Sequence, residues 1–83
     1  MDILTLSKKV KEKIKKHNLQ KKFSKQIELL KTNPKHPSLN VELLEPKEYG
    51  IYSFRIDKKY RGLFIFRSDK QVIEIFTITV HYK

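Results

Sequence analysis

The chain has 83 residues, the size of one small domain, and we interpret residues 1–83 as a single domain. It has no cysteine and only two glycines, which excludes a disulfide framework, a thiolate nucleophile, a cysteine zinc site and a glycine-rich phosphate loop. Nineteen lysines and arginines against nine acidic residues give a net charge of +10, which attracts nucleic acid, an anionic membrane surface or an acidic protein.

The first third of the chain predicts a short strand and two helices. Residues 2–6 read as a strand, and Ser7 is suited to cap a helix that runs to about His17. Asn18 is suited to cap a second helix, which ends near Asn33 because the residue before a proline disfavours the helical conformation. The apolar positions of this helical hairpin are Val10, Ile14, Leu19, Phe23, Ile27 and Leu30.

The outer surface of this hairpin is basic. Residues 1–35 contain eleven basic and three acidic side chains, a net charge of +8. Such a surface either contacts nucleic-acid phosphates or serves only to keep the protein in solution. The candidate RNA-binding lysines are Lys8, Lys11, Lys13, Lys16, Lys22 and Lys25.

Residues 34–50 contain three prolines and a glycine and show no sustained period. We interpret them as a loop with a short extended piece over residues 39–44. The side chains expected to pack this loop are Leu39, Val41, Leu43 and Leu44.

The rest of the chain alternates apolar and polar residues, which is typical of strands. Strands are predicted over 52–56, 60–67 and 72–80, joined by short turns at 57–59 and 68–70. The order is then β-α-α-β-β-β. This predicts an α+β domain with a helical hairpin on one face of a small, mainly antiparallel sheet.

The pairing of the last two strands decides which side chains share the sheet face away from the helices. If Phe66 pairs with Val72, then Arg61 lies opposite Thr77. The residues predicted on that face are Arg61, Leu63, Ile65, Thr77, Thr79 and His81.

Arg55 joins this face only if the 57–59 turn has an odd number of residues, because a two-residue turn would place Ile56 opposite Arg61. The odd register collects Arg55, Arg61 and the C-terminal His81-Tyr82 pair. Two guanidinium groups and an imidazole on an open face are suited to binding a phosphate.

Three segments resemble the RelE/ParE toxin superfamily across essentially the whole chain: YSFRIDKKYR at 52–61, the proline-containing stretch at 34–39, and the terminal His81-Tyr82. The terminal pair is most similar to the YoeB branch of messenger-RNA interferases. In that branch a glutamate precedes the sheet arginine by nineteen residues, as Glu42 precedes Arg61, with a second arginine six residues before it, as Arg55 does here. Glu45 and Glu48 are alternative candidates for the glutamate.

The resemblance implies the toxin of a type II toxin–antitoxin system. It implies a cytoplasmic endoribonuclease that cleaves messenger RNA on the ribosome without metal or cofactor, contacting ribosomal RNA phosphates. It also implies a cognate acidic antitoxin and no membrane partner. Operator DNA would be bound only by the complex of the protein with that antitoxin. The longest apolar run, at 63–66, is far too short to cross a bilayer, and the first residues lack the features of a signal peptide.

Metal-free RNA cleavage needs a base for the 2′-hydroxyl, a cation for the phosphorane and an acid for the leaving 5′-oxygen. Arg61 suits the cation role, since a guanidinium gives two parallel hydrogen bonds to phosphate. Glu42 and His81 are the candidate base and acid, with the division of roles between them open, and Tyr82 could stack on a base or bond a phosphate. His17 and His36 are expected at the surface or in caps, and no histidine pair has metal-ligand spacing.

Two other functions fit the same residues. One is a non-enzymatic, ParE-like toxin that poisons gyrase, for which a histidine beside the sheet arginines is not expected. The other is a basic nucleic-acid-binding module, which predicts strongly salt-dependent binding without cleavage.

Overall fold

A computed structural model describes residues 2–67 and 72–80 of the chain. These residues form two helices and five strands, with single turns of 3₁₀ helix at Pro37–Leu39 and Lys47–Tyr49. In chain order the elements are β1 (Asp2–Ile3), α1 (Lys8–Lys16), α2 (Gln20–Thr32), β2 (Glu42–Leu43), β3 (Tyr52–Arg55), β4 (Tyr60–Arg67) and β5 (Val72–Val80).

The strands form one mixed sheet in the order β1-β5-β4-β3-β2. β1 pairs with β5 in parallel, and the other neighbours are antiparallel, so the predicted α+β fold with a mainly antiparallel sheet is confirmed. Two details differ from the prediction. The first strand covers only Asp2–Ile3, and the extended piece in the loop is a genuine strand, Glu42–Leu43, which adds a fifth strand beside β3.

The cap predicted for α1 is confirmed, because the Ser7 hydroxyl oxygen accepts a hydrogen bond from the Val10 amide at 3.2 Å. The cap predicted for α2 is wrong. Asn18 has a left-handed backbone (φ 56°), and its amide donates to the Lys15 carbonyl, so Asn18 closes the end of α1. Asparagine tolerates this conformation, and Leu19 takes the N-cap position of α2 without a side-chain cap.

The core lies between the two helices and one face of the sheet. The predicted helical positions Val10, Ile14, Leu19, Phe23 and Leu30 are buried, and Ile27 is partly buried. They pack with the sheet residues Phe54, Ile56, Phe64, Ile73, Ile75 and Ile78. The rings of Phe23 and Phe54 lie 6.2 Å apart between centroids, which joins α2 directly to β3.

The loop before β3 packs differently from the prediction. Leu39 is fully buried, but Val41 and Leu43 are exposed. The reason is that β2 is the edge strand of the sheet, whereas α2 packs against the 3₁₀ turn that contains Leu39. One buried residue therefore anchors this loop, and the other apolar side chains remain at the rim.

The register of β4 against β5 is shifted from the prediction. Val72 pairs with Arg67, not with Phe66, and an irregularity at Leu63/Phe64 leaves Phe76 as an extra residue in β5. Arg61 consequently lies opposite Thr79, not Thr77. Because of the extra residue, both Ile75 and Ile78 face the core, while Thr77 and Thr79 remain on the face of Arg61.

Gly62 is required by the core packing of β4. It lies opposite Phe54 on β3, and a Cβ atom at this position would overlap the Phe54 ring. The glycine thus lets a large aromatic ring lie flat over the middle of the sheet, next to Arg61 on the other face. Among the described residues, no helix is long and apolar enough to cross a membrane.

Candidate functional site

Arg61 is a cation buried within the sheet face that points away from the helices. Only 5% of its surface is exposed. Its Nε donates to the Ser53 hydroxyl oxygen at 3.0 Å, and its Nη2 donates to the carbonyl oxygen of Asn40. Both acceptors are neutral, and no carboxylate among the described residues lies within ion-pair distance of this guanidinium. These hydrogen bonds therefore fix the position of the Arg61 guanidinium without neutralising its charge.

Burial lowers the pKa of Arg61, the charge of Arg55 lowers it further, and Glu42 acts in the opposite direction. An arginine remains protonated despite such a shift. The consequence is a charged group that is poorly solvated and incompletely compensated, which an incoming anion would stabilise.

A cavity of about 230 Å³ opens over Arg61. Its lining consists of Glu42, Leu44, Ser53, Arg61, Leu63, Thr79 and Val80. Glu42 is brought here by β2, where it pairs with Ser53 and thus shares the face of Arg61. Glu45 and Glu48, the alternative candidates, do not line this cavity. The cavity thus combines a buried cation with an exposed carboxylate.

The predicted odd register of the β3–β4 hairpin is confirmed, since Arg55 pairs with Arg61. Asp57 builds this turn: its Oδ1 accepts hydrogen bonds from the amides of Lys59 and Tyr60 at 2.8 and 2.7 Å. Burial alone would raise the pKa of Asp57, but these amides and the Lys22 ammonium outweigh it and hold the pKa below its usual value. The three-residue turn is what places both arginines on one face.

Gln26 is a buried polar residue that supports the Arg61 site and that the sequence did not lead us to predict. It is 7% exposed, and its Nε2 donates to the carbonyl oxygens of Arg55 at 2.7 Å and Ser38 at 3.1 Å. The Ser38 turn leads directly to Asn40, whose carbonyl holds Arg61. Gln26 therefore ties α2, the loop and β3 together behind the guanidinium. Its sequence signal is a polar residue three positions after Phe23 and four before Leu30, on the buried face of α2.

The predicted RNA-binding lysines do not form one surface. Lys8, Lys11 and Lys16 are exposed on α1, and Lys25 is exposed on α2. Lys13 instead donates to the Thr77 hydroxyl and the Ile78 carbonyl, which ties α1 to β5. Lys22 forms an ion pair with Asp57 at 3.3 Å. Because the helices cover the opposite sheet face, most of this charge lies away from Arg61.

His81 and Tyr82 lie outside the described residues, as does the predicted 68–70 turn. His36 caps the Pro37–Leu39 turn by accepting from the Ser38 amide, and His17 lies at the end of α1, where its ring meets Tyr60 at 4.8 Å. No cluster of potential metal ligands occurs within 2–67 and 72–80.

No protein-family model and no curated protein sequence matches the chain. Several solved structures do match the chain in fold. A YoeB/ParE toxin from Agrobacterium tumefaciens is 18% identical, with a TM-score of 0.74 over 99% of this chain and 100% of that one. YoeB in a YoeB–YefM toxin–antitoxin complex from Staphylococcus aureus is 23% identical, with a TM-score of 0.67 over 99% and 98%. YafQ from Escherichia coli is 13% identical, with a TM-score of 0.71 over 96% and 92%.

The chain therefore has the same fold as these YoeB and YafQ toxins, which is the fold that its resemblance to the RelE/ParE superfamily implied. Within that fold it is similar to YoeB-type toxins over nearly its full length. Identities this low establish the architecture, and the activity is a separate question.

Proposed function

We propose that the protein is the toxin of a type II toxin–antitoxin system and acts as a ribosome-dependent messenger-RNA endoribonuclease. The observation that carries this proposal is Arg61, a cation buried on an open sheet face with only neutral hydrogen-bond partners. Burying a charge in this way costs free energy. A phosphate that gains negative charge during the reaction would offset this cost by its attraction to the guanidinium. The fold shared with YoeB and YafQ supports the same class.

The cleavage would proceed by internal attack. The RNA 2′-oxygen bonds to the adjacent phosphorus while its proton passes to Glu42, and the bond from phosphorus to the 5′-oxygen breaks. His81 gives a proton to that leaving oxygen, so the products are a 2′,3′-cyclic phosphate and a 5′-hydroxyl. Arg61 stabilises the charge on the phosphorane, and Tyr82 contacts a base or a phosphate. Neither a metal nor a cofactor takes part.

Two partner classes follow from this proposal. The ribosome would be bound through RNA phosphates by the exposed lysines of α1 and α2 and by Arg55. The second partner is a cognate antitoxin, since one neighbour of this fold is solved as a YoeB–YefM toxin–antitoxin complex. An acidic antitoxin segment that covers Arg55 and Arg61 would mask the site, and operator DNA would be bound only through that complex.

The decisive experiment is single-turnover cleavage of messages on saturating ribosomes. Arg61→Ala should slow cleavage by roughly 10²–10³, and His81→Ala by about 10²–10⁴. Arg67→Ala is a matched control, because Arg67 is an exposed arginine on the same strand, paired at 2.8 Å with Glu74. It removes the same charge and should leave the rate unchanged. If the Arg61 and His81 variants both cut as fast as the parent protein, the proposed site is wrong.

Ribosome binding and RNA cleavage should respond to different substitutions. Replacing Lys8, Lys11 and Lys16 by glutamine should weaken ribosome binding and its salt dependence, yet leave cleavage at saturation nearly unchanged. Lys13 is kept because it holds α1 on β5.

Toxicity that is relieved by co-expressing a small acidic protein from the adjacent reading frame would support a toxin. Toxicity without message cleavage would favour a non-enzymatic toxin, and salt-dependent RNA binding with neither would favour a simple binding module.

A further inference from the structure

A second, larger cavity lies behind the site, between α2 and the β3–β4 turn. Its volume is about 650 Å³. The residues that line it are Lys22, Lys25, Gln26, Ser38, Arg55, Ile56, Asp57, Lys58 and Lys59. It is separate from the Arg61 cavity, and the two share no lining residue.

This second cavity carries a concentrated positive charge. Five of its lining residues are cationic and one is acidic. The acidic residue is Asp57, which is already engaged by the Lys22 ammonium and by two backbone amides. The four other cations form no ion pair with any residue that the structure describes. The cavity is therefore a basic recess whose own carboxylate is already occupied.

No aromatic residue lines this recess. Its one aliphatic lining residue, Ile56, is buried in the core. An acidic protein segment gains much of its affinity by burying apolar or aromatic side chains. The lining offers it no aromatic residue and no exposed aliphatic one. A nucleic-acid backbone needs only cations and hydrogen-bond donors at its phosphates.

Arg55 links the cavity to the Arg61 face. It lines the cavity and is also the cross-strand partner of Arg61. Cross-strand partners lie only about 5 Å apart between Cα atoms, so RNA contacting Arg61 can reach the recess. Gln26 fixes the position of this link by its 2.7 Å hydrogen bond to the Arg55 carbonyl.

We propose that this recess is a second phosphate-binding site for single-stranded RNA, distinct from the Arg61 site. The inference rests on the proposed function for its setting, since the bound phosphate would lie beside the RNA being cleaved. Lys25, Lys58 and Lys59 would supply ammonium groups to the phosphate. Lys58 and Lys59 thereby gain a role in binding, and the Lys22–Asp57 pair keeps the turn in place.

Binding can be measured without cleavage. The full chain, labelled with ¹⁵N, is titrated with a ten-nucleotide 2′-O-methyl RNA, which has no free 2′-hydroxyl to attack. Saturable shifts are expected at the backbone amides of Gln26, Ser38 and residues 56–60. Lys25→Gln with Lys58→Gln removes two contacts. It should lower the slope of log affinity against log salt by about 1.4 and weaken binding about ten- to thirtyfold at 0.1 M salt.

The matched control is Lys31→Gln with Lys35→Gln, which removes the same charge at exposed positions outside both cavities. It should change the affinity less than twofold. Equal losses in the two double variants would overturn the proposal, as would shifts that avoid the cavity. Poly-glutamate that produces the same shifts more tightly than RNA would also overturn it, in favour of a protein partner.

Ribosomes with and without a message distinguish the source of the phosphate. If the recess holds the message, the Lys25/Lys58 double variant binds more weakly only when a message is present. If it holds ribosomal RNA, the loss is the same in both cases. No loss in either case contradicts the proposal. Cleavage failure with intact RNA binding in the recess would refute the endonuclease function and leave this site standing.

Discussion

The hydrogen bonds of Gln26 predict a large and specific loss of stability on substitution. Gln26→Met keeps the length and helix propensity of the side chain but removes both donors. The carbonyl oxygens of Arg55 and Ser38 would then lack their partner at the boundary of the core. Each partly buried carbonyl that loses its partner costs about 1–3 kcal/mol, and the added apolar burial returns about 1–2 kcal/mol. From the middle of both ranges, the expected net loss is about 2–3 kcal/mol.

Urea denaturation at pH 7 measures this loss. A domain of this length has a free energy of unfolding of roughly 4–12 kcal/mol, so the variant should remain folded at 25 °C. Gln20→Met is the matched control: it makes the same chemical change at an exposed position on the same helix, and it should stay within about 0.5 kcal/mol of the parent.

The same substitution should also disturb Arg61, since Gln26 holds the turn that leads to the Asn40 carbonyl. The side-chain Nε proton of Arg61 should exchange with solvent faster in Gln26→Met than in the parent protein or in Gln20→Met. In a double-mutant cycle, Gln26→Met should reduce cleavage in the parent but have little further effect in Arg61→Ala. Unchanged stability and unchanged Arg61 exchange would refute the assigned support role.

Three further substitutions test the fold. Phe23→Ala removes a buried ring that packs on Phe54 and should cost about 3–4 kcal/mol by urea denaturation, whereas a loss below 1 kcal/mol would contradict the packing. Gly62→Ala should cost about 1–3 kcal/mol because its Cβ overlaps the Phe54 ring, and Phe54→Leu should relieve part of that cost in the double variant. Asp57→Ala should cost about 1–2 kcal/mol at pH 7. Because folding lowers the pKa of Asp57, its contribution is present above the unfolded-state pKa and is lost as the pH falls through the lower folded-state value. Parent and variant should therefore converge once the pH is below that folded-state value. A difference independent of pH would contradict the charge-based part of this account.

The sequence determined the parts of this protein that depend on local pattern. Helical periodicity located the buried face of α2, and alternation located β3, β4 and β5. Side chains in a strand alternate between two faces. An odd number of residues in the 57–59 turn was therefore enough to predict that Arg55 and Arg61 share a face. The resemblance of essentially the whole chain to the RelE/ParE superfamily implied the fold, which the solved structures confirm.

Tertiary structure decided what local pattern cannot encode. The register of β5 against β4 is shifted by one residue at Val72 and by a second at the extra residue Phe76, and this bulge is fixed by the burial of Ile75 and Ile78 on either side of it. Asparagine is suited both to cap α2 and to end α1, and the reversal between the packed helices selected the second. The burial of Arg61, its neutral partners and the Gln26 support depend on contacts between residues far apart in the chain. A sequence can place a cation on a strand, but only the packing of a loop and a helix around it determines how far its charge is compensated.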